Sequence, residues 1–203
     1  MVKLAFASGE DLCIHKAILE RHGRFASKIL ESGEAESETM FSIPYGCSKA
    51  GAQMIHWMYY GKLGYSVSQL KHLAPDKVQD ITTILISTYN MAIWARIDSL
   101  ADAIVNTFRQ IYKFSHPRWC EIKALTEEWG QYDELRMLML EKAANTICKM
   151  GLDRYIEEMG NRSLRYELLN DPAGTFDLLR CVLDVVQLEN GTTLRSDSSH
   201  VYG

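Results

Sequence analysis

The chain has 203 residues, 47% of them hydrophobic and 24% charged. That length buries a sizeable core without disulfide or metal staples, and that balance excludes a mainly disordered, collagen-like or low-complexity chain. Twenty-two Lys and Arg against 26 Asp and Glu leave a net charge of −4, so no global field draws the chain to nucleic acid or an anionic membrane.

Val2 to Ala7 alternates apolar and other residues with period two, Ser8-Gly9-Glu10 supplies turn chemistry, and Leu12, Cys13 and Ile14 resume the apolar run. This predicts a β-hairpin. Glu10 and Asp11 interrupt the run before a signal-peptide core forms, so the chain is expected inside the cell, in the cytoplasm or nucleus. From Lys16 the spacing turns helical, with Ile18, Leu19, His22, Phe25, Ile29 and Leu30 on one face and Ser32-Gly33 as the stop. A glutamate-rich loop leads to a third strand, Met40 to Ile43, closed by Pro44. Gly46-Cys47-Ser48 then opens a helix whose apolar side is expected to carry Ala52, Ile55, Met58 and Tyr59. Residues 61–75 read as a basic and polar loop, long enough to be a functional surface. Asp76 is the expected cap of a helix bearing Val78, Ile81, Leu85, Thr88 and Ala92, and Ile97 to Tyr112 continues as a second amphipathic helix ended by His116-Pro117. The uncharged window Ile81 to Ala95 has 15 residues, short of the roughly 20 that span a bilayer.

Downstream, helical stretches are predicted at 120–131, 133–150, 154–159, 163–170 and 176–188, and a Gly, Thr, Ser and Asp-rich tail from Asn190 reads as disordered. The expected class is α+β: a small three-stranded sheet clasped by helices over residues 1–115, an α-helical extension over 116–189, and a tail over 190–203.

No catalytic, cofactor-binding or metal-ligating residue is predicted. Cys13, Cys47, Cys120, Cys148 and Cys181 are odd in number and scattered, mostly in apolar surroundings, and read as reduced packing residues. Asn161-Arg162-Ser163 and Asn190-Gly191-Thr192 match the glycosylation pattern but lack a secretory context. Gly46 and Gly51 have phosphate-loop spacing, yet Ala52-Gln53 stands where Lys-Ser/Thr would hold phosphate and magnesium. Glu127-Glu128 and Glu157-Glu158 are sequence neighbours on helical segments and do not face each other. His15 and His22 share a helical phase without further ligands, and His15 is expected to pack its ring and satisfy one nitrogen on the backbone. One segment, 109–123, interleaves Arg109, Lys113, Arg118 and Lys123 with Tyr112, Phe114 and Trp119, as a nucleic-acid surface would. Ile111 and Phe108 give the same segment a core-facing stripe, and packing with helix capping is the preferred reading.

His15-Lys16-Ala17-Ile18-Leu19, Glu36-Ser37, Ile43-Pro44, Trp57-Met58-Tyr59-Tyr60-Gly61, Tyr89-x-x-Ala92 and Ile97-x-x-Leu100 come in the order of one family. Over Val2 to about Phe108 the chain resembles a BTB/POZ domain, an interaction fold shared more distantly with elongin C. The C-terminal part, with Asp133-x-Leu135-Arg136 and Asp171 to Leu179, is similar to the segment after that domain in short BTB proteins of filamentous fungi. The resemblance implies a scaffold or adaptor whose partner is another protein, a cullin-type ubiquitin ligase component among the options, or a further copy of the chain.

The chain departs from that family in several places. Its co-repressor pocket would pair Lys16 with an acid ahead of the first strand, where this chain begins at Met1, so that pocket and a strand-exchanged dimer are not expected. Cullin-binding members carry a hydrophobic-x-Glu motif after the Tyr-x-Gly helix; residues 61–75 hold no glutamate, and Val67-Ser68-Gln69 is the nearest approximation. Gly23 replaces the family's serine in the first helix. The partner-binding residues are therefore expected to be Tyr60, Leu63, Tyr65 and Val67, because aromatic anchors carry much of interface energy.

Overall fold

A computed structural model describes residues 1–6, 8–25, 27, 35–37, 40–43, 46–125, 133–158, 168 and 170–189. The tail from Asn190, both glycosylation patterns, Glu127-Glu128, most of the predicted helix at 163–170, and Ile29, Leu30, Ser32-Gly33 and Pro44 lie outside the described residues. The fold is α+β, and its sheet is mixed.

The expected hairpin forms from β1 (Val2–Phe6) and β2 (Asp11–Ile14), paired antiparallel with Val2 opposite Ile14. Gly9, at φ 81°, supplies the left-handed turn residue. A short edge strand, β3 (Ala35–Ser37), precedes β4 (Met40–Ile43), which runs parallel to β1 with Phe6 opposite Ile43. β1, β2 and β4 are the three strands expected from sequence; β3 joins them to give the order β2-β1-β4-β3. The sheet buries one face, with Val2, Leu4, Phe6, Ile14, Phe41 and Ile43 in the core. Lys3 on β1 pairs with Asp11.

α1 (Lys16–Arg21) is shorter than its periodicity predicts. It ends at His22, whose φ of −101° and ψ of 59° leave the helical region, and Gly23, Arg24 and Phe25 resume helical geometry beyond it. Phe25 is fully buried, edge-on to Trp94 with ring centres 6.0 Å apart.

α2 (Ser48–Tyr60) buries Ala50, Gly51, Met54 and Met58, packing on β2 and on the long helix α4 (Pro75–Trp94). The expected apolar side was a different one: of Ala52, Ile55, Met58 and Tyr59 only Met58 is buried, because Gly51 rather than Ala52 lies under Phe6 of the sheet. Asp76 is not the cap of α4; Ala74 is, with Pro75 at the first position, where its missing N–H costs nothing. α4 ends in a Schellman turn. The Ile97 N–H donates to the Ala92 carbonyl (2.9 Å) and the Arg96 N–H to that of Ile93 (3.1 Å). Arg96 sits at φ 55°, a position usually given to glycine. α5 (Asp98–Ile111) then returns against α4, burying Leu100, Ile104, Val105, Phe108 and Ile111.

The chain divides into two units, Met1–Ser115 with Ala124–Leu135, and His116–Lys123 with Arg136–Gly203. Ala124 and Asp133–Leu135 fall in the first unit. Hydrogen bonds account for this: Tyr89 donates to Asp133 (2.9 Å), Asn90 to the Ala124 carbonyl (2.9 Å), and Arg109 to Glu134 (2.6 Å).

The second unit contains α6 (Trp119–Lys123), most of α7 (Glu134–Met150), α8 (Leu152–Glu158) and α9 (Pro172–Glu189). Gly151, at φ 87°, makes the bend between α7 and α8. Trp119, Ile122, Met139, Leu140, Ala143, Tyr155, Leu178 and Cys181 form its interior. The Tyr155 hydroxyl donates to the Pro117 carbonyl (2.7 Å), and Arg136 bridges to Asp177 (2.8 Å), joining α7 to α9. α9 starts four residues earlier than predicted, because Asp171 accepts the Gly174 N–H (3.0 Å) as its cap and Pro172 takes the first position. No helix among the described residues is long and apolar enough to cross a membrane.

Candidate interaction surface

The surface begins where α2 stops. Gly61 adopts φ 64° and ψ 21°, and its N–H closes the last turn on the Trp57 carbonyl (2.8 Å). Nothing lies within 4 Å of where a β-carbon would stand. A Gly61→Ala change therefore meets backbone strain alone. It is expected to lower stability by about 1 kcal/mol, read as a shifted urea midpoint with an unchanged slope.

The residues after Gly61 are ordered rather than a plain loop. A short helix, α3 (Val67–Leu70), starts at Ser66, whose hydroxyl accepts the Gln69 N–H while the Gln69 side chain accepts the Ser66 N–H. This reciprocal cap is written in the sequence as Ser-x-x-Gln. Gly64 donates its N–H to Gln53 on α2 (3.0 Å), holding the connection against that helix, and α3 packs on α5.

The four expected contact residues are consequently placed in two ways. Tyr60 is 66% exposed. Leu63, Tyr65 and Val67 are half-buried and alternate with exposed Lys62, Gly64 and Ser66, so their side of the segment faces the body. Burial raises the Tyr65 hydroxyl pKa above its ordinary value.

Tyr60 has company that the sequence reading did not assign to the site. The His56 ring lies 4.7 Å from it and the Tyr59 ring 6.1 Å, centre to centre. These three, with Ile55 and Ala52 of α2 and Leu12 and Cys13 of β2, line a shallow groove of ≈ 340 Å³. A second depression of ≈ 520 Å³ shares Leu12 and Ala52 and ends at Glu10, Asp11, Ser48 and Lys49. The face of α2 that its spacing marked as apolar thus becomes the open wall of a groove beside the edge strand.

Tyr59 is fixed from below. Its hydroxyl accepts the His15 backbone N–H (3.0 Å) and contacts His15 Nδ1 (2.5 Å), with the rings in an edge arrangement. His15 is exposed, and its ring partner is this phenol rather than the backbone group expected from sequence. Lys16 is also exposed and lies 3.9 Å from Glu20.

In segment 109–123, Tyr112 and Trp119 are buried, so their rings are not presented for base stacking. Three of its four cations have polar partners, Arg109 with Glu134, Lys113 with Gln110, and Arg118 with the buried Glu121, while Lys123 is exposed. None of the five cysteines is in a disulfide, but the apolar surroundings expected for them hold fully only for Cys181; Cys13 and Cys120 are exposed because each occupies the outward side of its element. No group of three His, Cys, Asp or Glu side chains that could hold a metal ion is found among the described residues.

No protein-family model matches the chain, and neither the curated proteins nor the solved structures yield a match.

Proposed function

We propose that this chain is a noncatalytic protein-interaction module of BTB/POZ type, a scaffold or adaptor acting inside the cell, in the cytoplasm or nucleus. The observation that carries the reading is Tyr60, a large aromatic side chain 66% exposed at a helix end, beside an apolar groove walled by His56, Tyr59 and Leu12. Aromatic rings so placed are the usual anchors of an interface, since they bury much area at the cost of two side-chain torsions. The order of elements supports the family assignment: a hairpin, a helix entered through His15, a strand parallel to the first, a helix ending in Tyr60-Gly61, and a helical pair. Leu63, Tyr65 and Val67, half-buried ahead of and at the start of α3, form the flank of the surface.

Service as a cullin adaptor is one form of this proposal. Affinity capture with the tagged full chain and its Tyr60→Ala variant tests both the surface and that form. The retained protein is expected to bind the variant more weakly by about 2 kcal/mol, roughly thirtyfold, with unchanged circular dichroism. Equal retention by both chains overturns the surface. A cullin reproducibly absent while another protein is retained overturns the adaptor form and leaves the scaffold.

A further inference from the structure

α9 leaves a stripe of large apolar side chains uncovered. Phe176, Leu179, Leu183 and Val186 are 68%, 55%, 60% and 40% exposed, whereas Gly174, Leu178 and Cys181 on the opposite side are buried. Spacings of three, four and three residues keep the four on one narrow face. Single exposed apolar residues need no explanation, but a continuous row of them does. The alternation of three and four is the spacing with which one helix packs knobs into the holes of another.

Charge chooses between the two orientations of a self-pair. Arg180 and Asp184 are exposed, one turn apart, on the same flank of the stripe. In an antiparallel pair related by a two-fold axis, like flanks meet, so Arg180 of each copy comes beside Asp184 of the other. A parallel pair sets that flank against the side carrying Thr175 and Val182, which offer no charge.

We propose that α9 joins two copies of this chain as an antiparallel helix pair. Phe176 of one copy packs against Val186 of the other, Leu179 against Leu183, and Arg180 pairs with Asp184 twice. This inference stands on α9 alone and is independent of the Tyr60 surface.

Sedimentation of the full chain over a concentration series tests it. A reversible monomer–dimer equilibrium is expected, abolished in the Leu179→Glu, Leu183→Glu double variant. Arg180→Asp sets like charges together at two symmetric places and is expected to raise the dimer dissociation constant roughly tenfold. Adding Asp184→Arg restores both pairs with reversed sign and returns the constant to near its original value. A chain that stays monomeric up to millimolar concentration overturns the proposal, as does dimerisation that survives the glutamate variants. Failure of the charge exchange to restore pairing, with helicity unchanged, overturns the antiparallel arrangement on which it rests.

Discussion

A Gly51→Leu chain is expected to lose about 3 kcal/mol or more of stability, enough to remove the cooperative unfolding transition of a marginal domain. Gly51 lies on the buried side of α2, and a β-carbon there would stand no farther than 2.9 Å from three carbons of the Phe6 ring. Phe6 is 4% exposed, on the central strand opposite Ile43, and cannot swing into solvent. The alanine variant separates the contributions. In a helix, alanine gains roughly 1 kcal/mol over glycine, whereas overpacking costs about 1–3 kcal/mol; a net loss near 1 kcal/mol is expected. Trimming the ring in a Gly51→Ala, Phe6→Leu chain should make the two changes non-additive by about 1 kcal/mol in urea denaturation. Strict additivity would show that the ring is not the obstacle.

The second large effect concerns Tyr155, 1% exposed at the centre of the helical unit, whose hydroxyl meets the Pro117 carbonyl. Tyr155→Ala is expected to cost about 3–5 kcal/mol, from the cavity and the stranded carbonyl together. Tyr155→Phe keeps the packing and is expected to cost about 1–2 kcal/mol. The same phenol sets an alkaline limit. Burial, then the Glu121 and Cys120 charges, raises its pKa above the ordinary 10.0. Tyr89 is raised likewise by burial and by Asp133. Below about pH 10 both states keep these protons and the stabilisation is complete. Above it the unfolded chain ionises first and binds fewer protons than the native one, so stability falls as pH rises. Denaturant midpoints measured from pH 8 upward should show this fall, and Tyr155→Phe should flatten it; an unchanged slope would assign the limit elsewhere.

Much of the architecture is legible in local pattern. The alternation of Val2, Leu4 and Phe6 gives the central strand, and the spacing from Val78 through Ala92 gives the long helix. Other features needed context. Ala35–Ser37 is polar at an edge, where a strand carries little hydrophobic signal. Arg96 ends α4 in a conformation for which glycine is the usual marker, so residue type gives no sign of the turn, and only the restarted apolar spacing from Ile97 separates the two helices. Ser66-x-x-Gln69 and Asp171-Pro172 are readable signals of helix starts, and both mark elements that periodicity alone places late or omits. At the candidate surface, Tyr60 is found from its type and position, while the inward turn of Leu63, Tyr65 and Val67 depends on Gly64 and Gln53, a contact 11 residues apart. The groove wall on β2 is invisible to local reading because Leu12 meets α2 only through the tertiary fold.

The contact between Tyr59 and the His15 backbone has a bearing on the energetics of association. One phenol ties the last turn of α2 to the entry of α1, so the ring beside Tyr60 is already immobilised before anything docks. Gly64 and the α3 cap likewise hold the segment that follows Tyr60. A ligand arriving there finds little rotational freedom left to quench, and more of each contact it makes survives as affinity.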